Sequence, residues 1–154
     1  MAIKDTTKKP FIEDSIEEIS IGLDLPIRKS NGKNGYFAST STTIEAVKNN
    51  IRSLLKTEQG ERLMQPFLGI GLRKYLFEQV NEETTLAIQE NITSVFDFWL
   101  PFVIVQDIQV NIDKSNQLTI KIVFSIQQDP NTLDSVQISI GTHNFGENNS
   151  QSPV

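Results

Sequence analysis

The chain has 154 residues, 38% of them hydrophobic, a net charge of -5 and no cysteine. This length and apolar content allow one domain with a substantial core. The acidic balance argues against binding to nucleic acid or to an anionic membrane surface. The lack of cysteine excludes a disulfide framework, a cysteine-ligated metal and a cysteine nucleophile.

Composition divides the chain into an N-terminal extension (1–37), a folded domain (38–142) and a polar, flexible C-terminal tail (143–154). The first ten residues lack the apolar run of a secretory signal, and no stretch approaches the ~18 apolar residues of a membrane span. The absence of cysteine fits a chain that folds in a reducing cytosol. Alternating apolar residues over 21–25 predict a short extended segment.

The first helix is predicted to begin near Thr42, because Thr42 and Glu45 have the spacing of a capping box. The helix is expected to end over Thr57 to Gly60, with Gly60 as a left-handed residue at its C-terminus. The apolar face of this helix comprises Ile44, Val47, Ile51, Leu54 and Leu55. The opposite, polar face comprises Lys48, Asn49, Arg52 and Ser53.

A short helix is predicted over Leu72 to Glu78, followed by a second long helix for which Asn81 is the candidate N-cap. Pro101 ends that helix. Its apolar face comprises Ile88, Ile92, Val95, Phe96 and Trp99.

The last third of the domain changes to the two-residue period of strands. The first strand covers Phe102 to Asp113, with a bulge near Gln106 and Asp107, and a hairpin turn follows at Ser115 and Asn116. A second turn is expected over 129–131. Alternating apolar residues of the second and third strands are Leu118, Ile120, Ile122, Phe124, Ile126, Val136, Ile138 and Ile140. The pattern predicts an α+β fold, with two main helices and a short helix on one face of an antiparallel three-strand meander.

Catalytic and cofactor motifs are sparse. The lone His143 has no grouped partner for a triad or a metal site, and Gly69-Ile70-Gly71 lacks the third glycine and preceding strand of a dinucleotide fingerprint. A glycosidase requires two carboxyl groups in different environments. Glu61, Glu78 and Asp97 are candidates, with capping and ion pairing as the alternative. We expect no metal and no cofactor.

The segment from Thr57 to Gly69 is too charged for a core and too rich in Gly and Pro for a helix. Two interpretations stand side by side. In one, the segment is a tight loop whose Arg62 binds local carbonyl groups; in the other, it is a loop that binds a partner.

At this loop the sequence resembles the baseplate wedge and sheath-initiator family, often labelled lysozyme-like. That family occurs in contractile phage tails, type VI secretion and extracellular contractile injection systems. The resemblance covers residues 38–142 and includes the second helix and the last two strands. It is carried by the helix Glu45–Leu55, Thr57, Gly60-Glu61-Arg62, Pro66, Gly69, Leu72 and Leu76-Phe77-Glu78.

The resemblance implies a structural, non-enzymatic baseplate component, present in six copies, that joins wedge proteins to the first sheath ring. It is assembled in the bacterial cytoplasm, and a central spike or hub is a further candidate partner. Sheath contact is expected by strand addition to exposed edges at 118–127 and 135–142, unless the termini cover them. The alternative is an acid-optimum muramidase. The sheath-binding residues are expected to be Leu118, Ile120, Ile122, Phe124, Val136, Ile138 and Ile140.

The resemblance also implies wedge contacts through the loop and the end of the second helix. There the family carries Glu-Pro-Arg, whereas this chain has Leu100-Pro101-Phe102, so an apolar contact or burial must replace the charges. This departure suggests a divergent branch, with an injection system, a tailocin and a phage tail all left open. The wedge-binding residues are expected to be Gly60, Glu61, Arg62, Pro66, Gly69, Leu100, Pro101 and Phe102.

Overall fold

A computed structural model describes residues 20–30, 35–78, 81–112 and 117–141. It confirms the α+β class and adds a two-stranded ribbon that was not predicted as such. In chain order the elements are β1 (Gly22–Leu23), β2 (Ser39–Thr40), helix α1 (Thr43–Lys56), a 3-10 helix (Leu72–Phe77), helix α2 (Glu82–Trp99), β3 (Val103–Ile112), β4 (Leu118–Ile126) and β5 (Asp129–Ile140).

Strands β3, β4 and β5 form an antiparallel sheet with β4 in the centre. Its alternate side chains turn inward because successive residues of a strand face opposite sides of the sheet. The five inward side chains of β4 are all buried, and both helices pack against the neighbouring strands, α1 against β5 and α2 against β3. These five residues are Leu118, Ile120, Ile122, Phe124 and Ile126.

Helix α1 buries the predicted apolar stripe of Val47, Ile51, Leu54 and Leu55. Thr42 stands at the predicted N-cap position, but its hydroxyl makes no capping hydrogen bond, so the capping box is absent. The helix ends at Lys56, and Thr57 follows in an extended conformation. The predicted end of the helix at Thr57 is therefore confirmed, and Gly60 has the predicted positive φ but lies inside the following loop rather than at the helix C-terminus.

Asn49 was expected on the polar, exposed face of α1 but is buried. Its side-chain amide donates to the carbonyl of Leu23 in β1 at 3.1 Å and accepts from Arg52 at 3.1 Å. The β1–β2 ribbon therefore covers this side of the helix. A buried amide with both ends bonded avoids the cost of an unsatisfied polar group.

Helix α2 begins as predicted at Asn81, whose side chain accepts from the backbone N–H of Thr84 at 2.7 Å. The predicted short helix is a 3-10 helix of six residues, and 3-10 turns are frequent as connectors. It follows Gly71, and its buried residues include Leu72 and Tyr75. The apolar face of α2 is confirmed at Ile88, Ile92 and Phe96.

The β-bulge predicted near Gln106 and Asp107 is confirmed by a register shift between Val105 and Asp107. The predicted turn at 129–131 is wrong, because the turn lies at residues 127–128 and β5 already begins at Asp129. Proline is tolerated there because the first residues of a strand can lie outside the regular ladder. The predicted hairpin turn at 115–116 lies outside the described residues.

Gly69 and Gly60 offer a matched test of this packing. A Cβ on Gly69 would lie 2.3 Å from the carbonyl oxygen of Thr57, whereas a Cβ on Gly60 meets nothing within 4 Å. Both residues have positive φ. We expect Gly69→Ala to lower the free energy of unfolding by about 3 kcal/mol and Gly60→Ala by only about 1 kcal/mol, as measured by urea unfolding. Equal losses would contradict the close approach of Gly69 to Thr57.

Candidate partner-binding surfaces

The sheet offers two outer edges, on β3 and on β5, because β4 is paired on both sides. The prediction that the 118–127 strand presents a free edge is therefore wrong. The predicted sheath-binding side chains of β4 lie in the core instead, as do Val136 and Ile138 of β5. Of the two strands predicted to bind sheath, only β5 has an outer backbone edge accessible to an added strand, since strand addition uses N–H and C=O groups rather than inward side chains.

The direction of the backbone groups on β5 follows from two hydrogen bonds at the far side of the sheet. The N–H of Gln127 donates to the carbonyl of Phe102 at 2.9 Å, and the carbonyl of Ile108 in β3 accepts from the side chain of Gln89 in α2 at 2.8 Å, as an outward carbonyl can. Odd-numbered residues of β4 therefore point their backbone groups at β3. Even-numbered residues point theirs at β5.

In the pairing of β4 with β5, Ile122 lies opposite Val136 and Ile120 lies opposite Ile138. Even-numbered residues of β4 thus face even-numbered residues of β5. The backbone groups of Val136 and Ile138 face β4, so those of the odd-numbered residues face outward. The side chains of the same odd-numbered residues are exposed on the outer face of the sheet. These outward residues are Ser135, Gln137 and Ser139.

One end of this edge is already occupied. The outward N–H of Ser135 donates to the carboxylate of Asp134 at 2.7 Å, and the other oxygen of that carboxylate lies 3.1 Å from the ammonium group of Lys48 on α1. The outward N–H at the beginning of the regular ladder is therefore already bonded to a side chain. No strand in the described part of the chain pairs beyond Gln137 and Ser139.

Two features of the β3 edge hinder the addition of a further strand, as features of exposed edges in natural sheets commonly do. The bulge between Val105 and Asp107 breaks the ladder. The side chain of Gln89 occupies the outward carbonyl of Ile108. The regular part of β5, from Asp134 to Ile140, contains neither a bulge nor a proline. Of the two edges, β5 is therefore the better acceptor for an incoming strand.

A second surface is the loop of residues 57–71, called the apolar loop below. It contains the predicted wedge-binding residues Glu61, Arg62 and Pro66, all exposed. Backbone hydrogen bonds close this segment into a tight loop, as one of the two interpretations predicted, but the exposed side chain of Arg62 makes no hydrogen bond to a carbonyl group of the described residues. Sequence reasoning missed the most exposed large apolar side chains of the loop, which are Leu63 (94% exposed), Met64 (93%) and Phe67 (82%).

The three residues predicted to form a contact at the end of α2 differ in exposure. Leu100 is buried, Pro101 is exposed and Phe102 is partly exposed. Leu100 therefore joins the core, which is one of the two outcomes expected for this position. Its neighbour Phe98 is exposed and packs edge-on against Trp99, with ring centroids 5.1 Å apart. The exposed apolar side chains near this end are thus Phe98 and Phe102.

Little in the described ranges suggests a reaction centre. No group of three or more His, Cys, Asp or Glu side chains lies close enough to hold a metal ion, and no described helix is long and apolar enough to cross a membrane. The candidate carboxylates Glu61, Glu78 and Asp97 are all exposed. His143 lies outside the described residues.

A polar cleft of about 360 Å³ lies between α1 and the β1–β2 ribbon. Within the cleft, Arg28 pairs with Asp24, and Arg52 donates to the side-chain amide of Asn49. Lys48 pairs with Asp134 of β5, which lies outside the cleft lining. Glu45 also lines the cleft.

A free sheet edge and exposed apolar side chains are features of proteins that assemble with other proteins. A family model described as baseplate wedge protein gp25 matches residues 41–131, more than half of the 154 residues. The chain therefore belongs to the gp25 family of baseplate wedge proteins, which confirms the resemblance read from the sequence.

Individual relatives agree with this assignment. The chain is 26% identical over 109 residues to the baseplate wedge protein gp25 of Enterobacteria phage T4, covering 69% of this chain and 81% of that protein. A putative tail lysozyme from Geobacter sulfurreducens has the same fold, with a TM-score of 0.59 and 21% identity over 70% of this chain and 97% of the other. A chain of the anti-feeding prophage baseplate gives a TM-score of 0.52 and 24% identity, covering 76% of this chain and 81% of that one.

The edge geometry makes a direct prediction for amide hydrogen exchange in the isolated protein. The amides of Val136 and Ile138 should exchange at least about a hundredfold more slowly than those of Gln137 and Ser139, because only the former are bonded to β4. Nuclear magnetic resonance on the uniformly labelled chain resolves these amides individually. Protection of Gln137 and Ser139 in the isolated chain would mean that another segment already covers the β5 edge.

Proposed function

We propose that this protein is a structural, non-enzymatic component of the baseplate of a phage tail or contractile injection system. It joins wedge proteins to the first sheath ring and initiates sheath assembly by accepting a strand from the sheath protein. Six copies per baseplate, assembly in the bacterial cytoplasm and contact with a central spike or hub belong to the same proposal, and family membership supports it.

The observation that carries the sheath contact is the outward row of backbone groups on β5. Gln137 and Ser139 each offer an N–H and a C=O on the same side, and the carbonyl of Ser135 extends the row. A strand added there would continue the sheet in the order β3, β4, β5, partner. The guarded β3 edge favours a single acceptor site, so that each copy receives one strand.

The wedge contact is proposed at a surface that differs from the β5 edge, because it exposes side chains rather than backbone groups. The apolar loop and the end of α2 supply exposed apolar residues, among them Phe67 and Phe102. Exposed apolar side chains favour association with a partner protein, because their burial in the interface removes apolar area from water. Within the predicted set, Gly60 and Gly69 shape the loop through their positive φ, and Leu100 supports the end of α2 from the core.

The muramidase alternative requires a carboxylic acid held protonated, usually by burial among apolar groups. Glu61, Glu78 and Asp97 are exposed, and the carboxylate of Glu61 accepts from the N–H of Glu58 at 3.1 Å. We expect the purified protein to release no soluble fragments from peptidoglycan between pH 4 and 7. Activity that Glu61→Gln abolishes while the fold persists would contradict the structural role.

Strand addition predicts that Gln137→Pro blocks sheath growth. Proline removes an outward N–H that an incoming strand needs, but it leaves the β4–β5 hydrogen bonds in place, as proline does on solvent-facing strand edges. In the producing bacterium we expect baseplates to form while sheathed particles fall at least about tenfold, counted by electron microscopy.

Gln137→Thr is the matched control, because it changes the same side chain and keeps the N–H. Both variants are first compared with the parent by urea unfolding, so that a loss of folding is recognised. If folded Gln137→Pro supports normal sheaths, strand addition at β5 is wrong. If Gln137→Thr is as defective as Gln137→Pro, the side chain and not the backbone makes the contact.

A further inference from the structure

We propose that Leu63, Met64 and Phe67 form a preformed anchor that inserts into a concave apolar pocket of another baseplate protein. The inference rests on the proposed function and names the side chains and the partner surface of its wedge contact. It concerns a different surface from the β5 edge, so the two can fail separately.

The exposure of these side chains sets them apart from ordinary surface residues. Scattered exposed apolar residues are common in soluble proteins and need no explanation. Here, three large ones lie within five consecutive positions, and each is more than four-fifths exposed. Next to them, Leu68 is partly buried and Ile70 is fully buried. Neighbouring residues of the same segment thus reach the core, whereas the loop holds the side chains of Leu63, Met64 and Phe67 in solvent.

The loop that carries them is held by its own backbone. The N–H of Gly60 donates to the carbonyl of Pro66 at 2.7 Å, which closes the loop at its neck. Inside it, the N–H of Gln65 donates to Arg62 and the N–H of Leu68 donates to Gln65, each at 3.1 Å. These bonds fix the shape of the loop before any partner arrives. Preorganisation of this kind lowers the ordering cost of binding.

The base of the loop is tied to the core by further contacts. The N–H of Ile70 donates to the carbonyl of Thr57 at 3.2 Å, and the amide of Asn91 on α2 donates to the carbonyl of Ile70 at 3.0 Å. Gly69 packs so closely on Thr57 that no side chain fits there. The anchor is therefore attached rigidly to α1 and α2, the elements that support the sheet.

The shape and chemistry of the anchor indicate what it binds. Its backbone N–H groups at Gly60, Gln65 and Leu68 are used internally, so the loop suits insertion of side chains better than pairing with a strand of the sheath. A convex apolar group fits a concave apolar pocket, the arrangement in which a few anchor residues dominate affinity. Arg62 stands beside it without a bonded partner among the described residues, which favours a carboxylate at the rim of that pocket.

The polar cleft of this chain is a poor receptor for the anchor of a second copy. The cleft between α1 and the β1–β2 ribbon is lined by charged and polar residues, and burying Leu63 or Phe67 against them would leave those groups without water. A different protein of the same baseplate, with an apolar pocket, meets the requirement.

The first test replaces the anchor in the full-length chain within the producing bacterium. The triple variant Leu63→Ser, Met64→Ser and Phe67→Ser should be folded, since all three side chains are exposed, and incorporated into purified baseplates at least about tenfold less than the parent. Leu86→Ser, an exposed apolar residue on α2, is the control and should be incorporated normally. Normal incorporation of the folded triple variant overturns the proposal.

The second test identifies the partner by photo-crosslinking from p-benzoylphenylalanine placed at residue 67, with residue 86 as the control position. In assembled particles we expect a crosslink from residue 67 to one baseplate protein other than sheath, located by mass spectrometry at an apolar pocket. A crosslink to sheath, a crosslink to a second copy, or no crosslink at all overturns the proposal.

The two proposed contacts give different outcomes. If the anchor alone is wrong, the triple variant is incorporated and Gln137→Pro still prevents sheath growth. If strand addition alone is wrong, Gln137→Pro assembles normal sheaths while the triple variant remains excluded from baseplates.

Discussion

The structure depends on the burial of strand β4 between two neighbouring strands and beneath two helices. Its five alternate side chains, from Leu118 to Ile126, are at most 4% exposed. A one-residue slip of β4 would move that entire apolar set to the outer face, where Lys121 is exposed. The register of the sheet is therefore strongly fixed. Since backbone direction alternates with side-chain direction, the same burial also fixes which backbone groups of β5 face outward.

The two edges of the sheet differ because different helices support them. On the β3 side, α2 supplies Gln89 to the outward carbonyl of Ile108, and a bulge breaks the ladder nearby. On the β5 side, α1 supplies Lys48, which holds the carboxylate of Asp134 at one end of the edge. The remainder of the β5 edge has no partner among the described residues. An edge that is protected on one side and available on the other suits a protein that adds one strand in a defined place, and the second proposed contact, at the apolar loop, lies on a separate part of the fold.

The sequence predicts those features that depend on local periodicity. The alternation of β4, the apolar stripes of both helices, the N-cap at Asn81 and the bulge before Asp107 follow from spacing alone. Other features depend on long-range packing. Alternation shows that Leu118 to Ile126 form a strand, but it does not show whether that strand is central or at an edge. Asn49 appears solvated until the β1–β2 ribbon is placed over it. Leu63, Met64 and Phe67 have the composition of core residues, and the only signal that they are exposed is their position between the turn-forming residues Gly60, Pro66 and Gly69.

The central claim is that the β5 edge accepts a strand of the sheath protein, and hydrogen exchange in the bound state tests it most directly. The measurement compares the isolated chain with the same chain in baseplates carrying the first sheath ring. We predict that the amides of Gln137 and Ser139 become protected from exchange on sheath binding, while those of Val136 and Ile138 are protected in both states. Unchanged exchange at Gln137 and Ser139, with sheath bound, would contradict it.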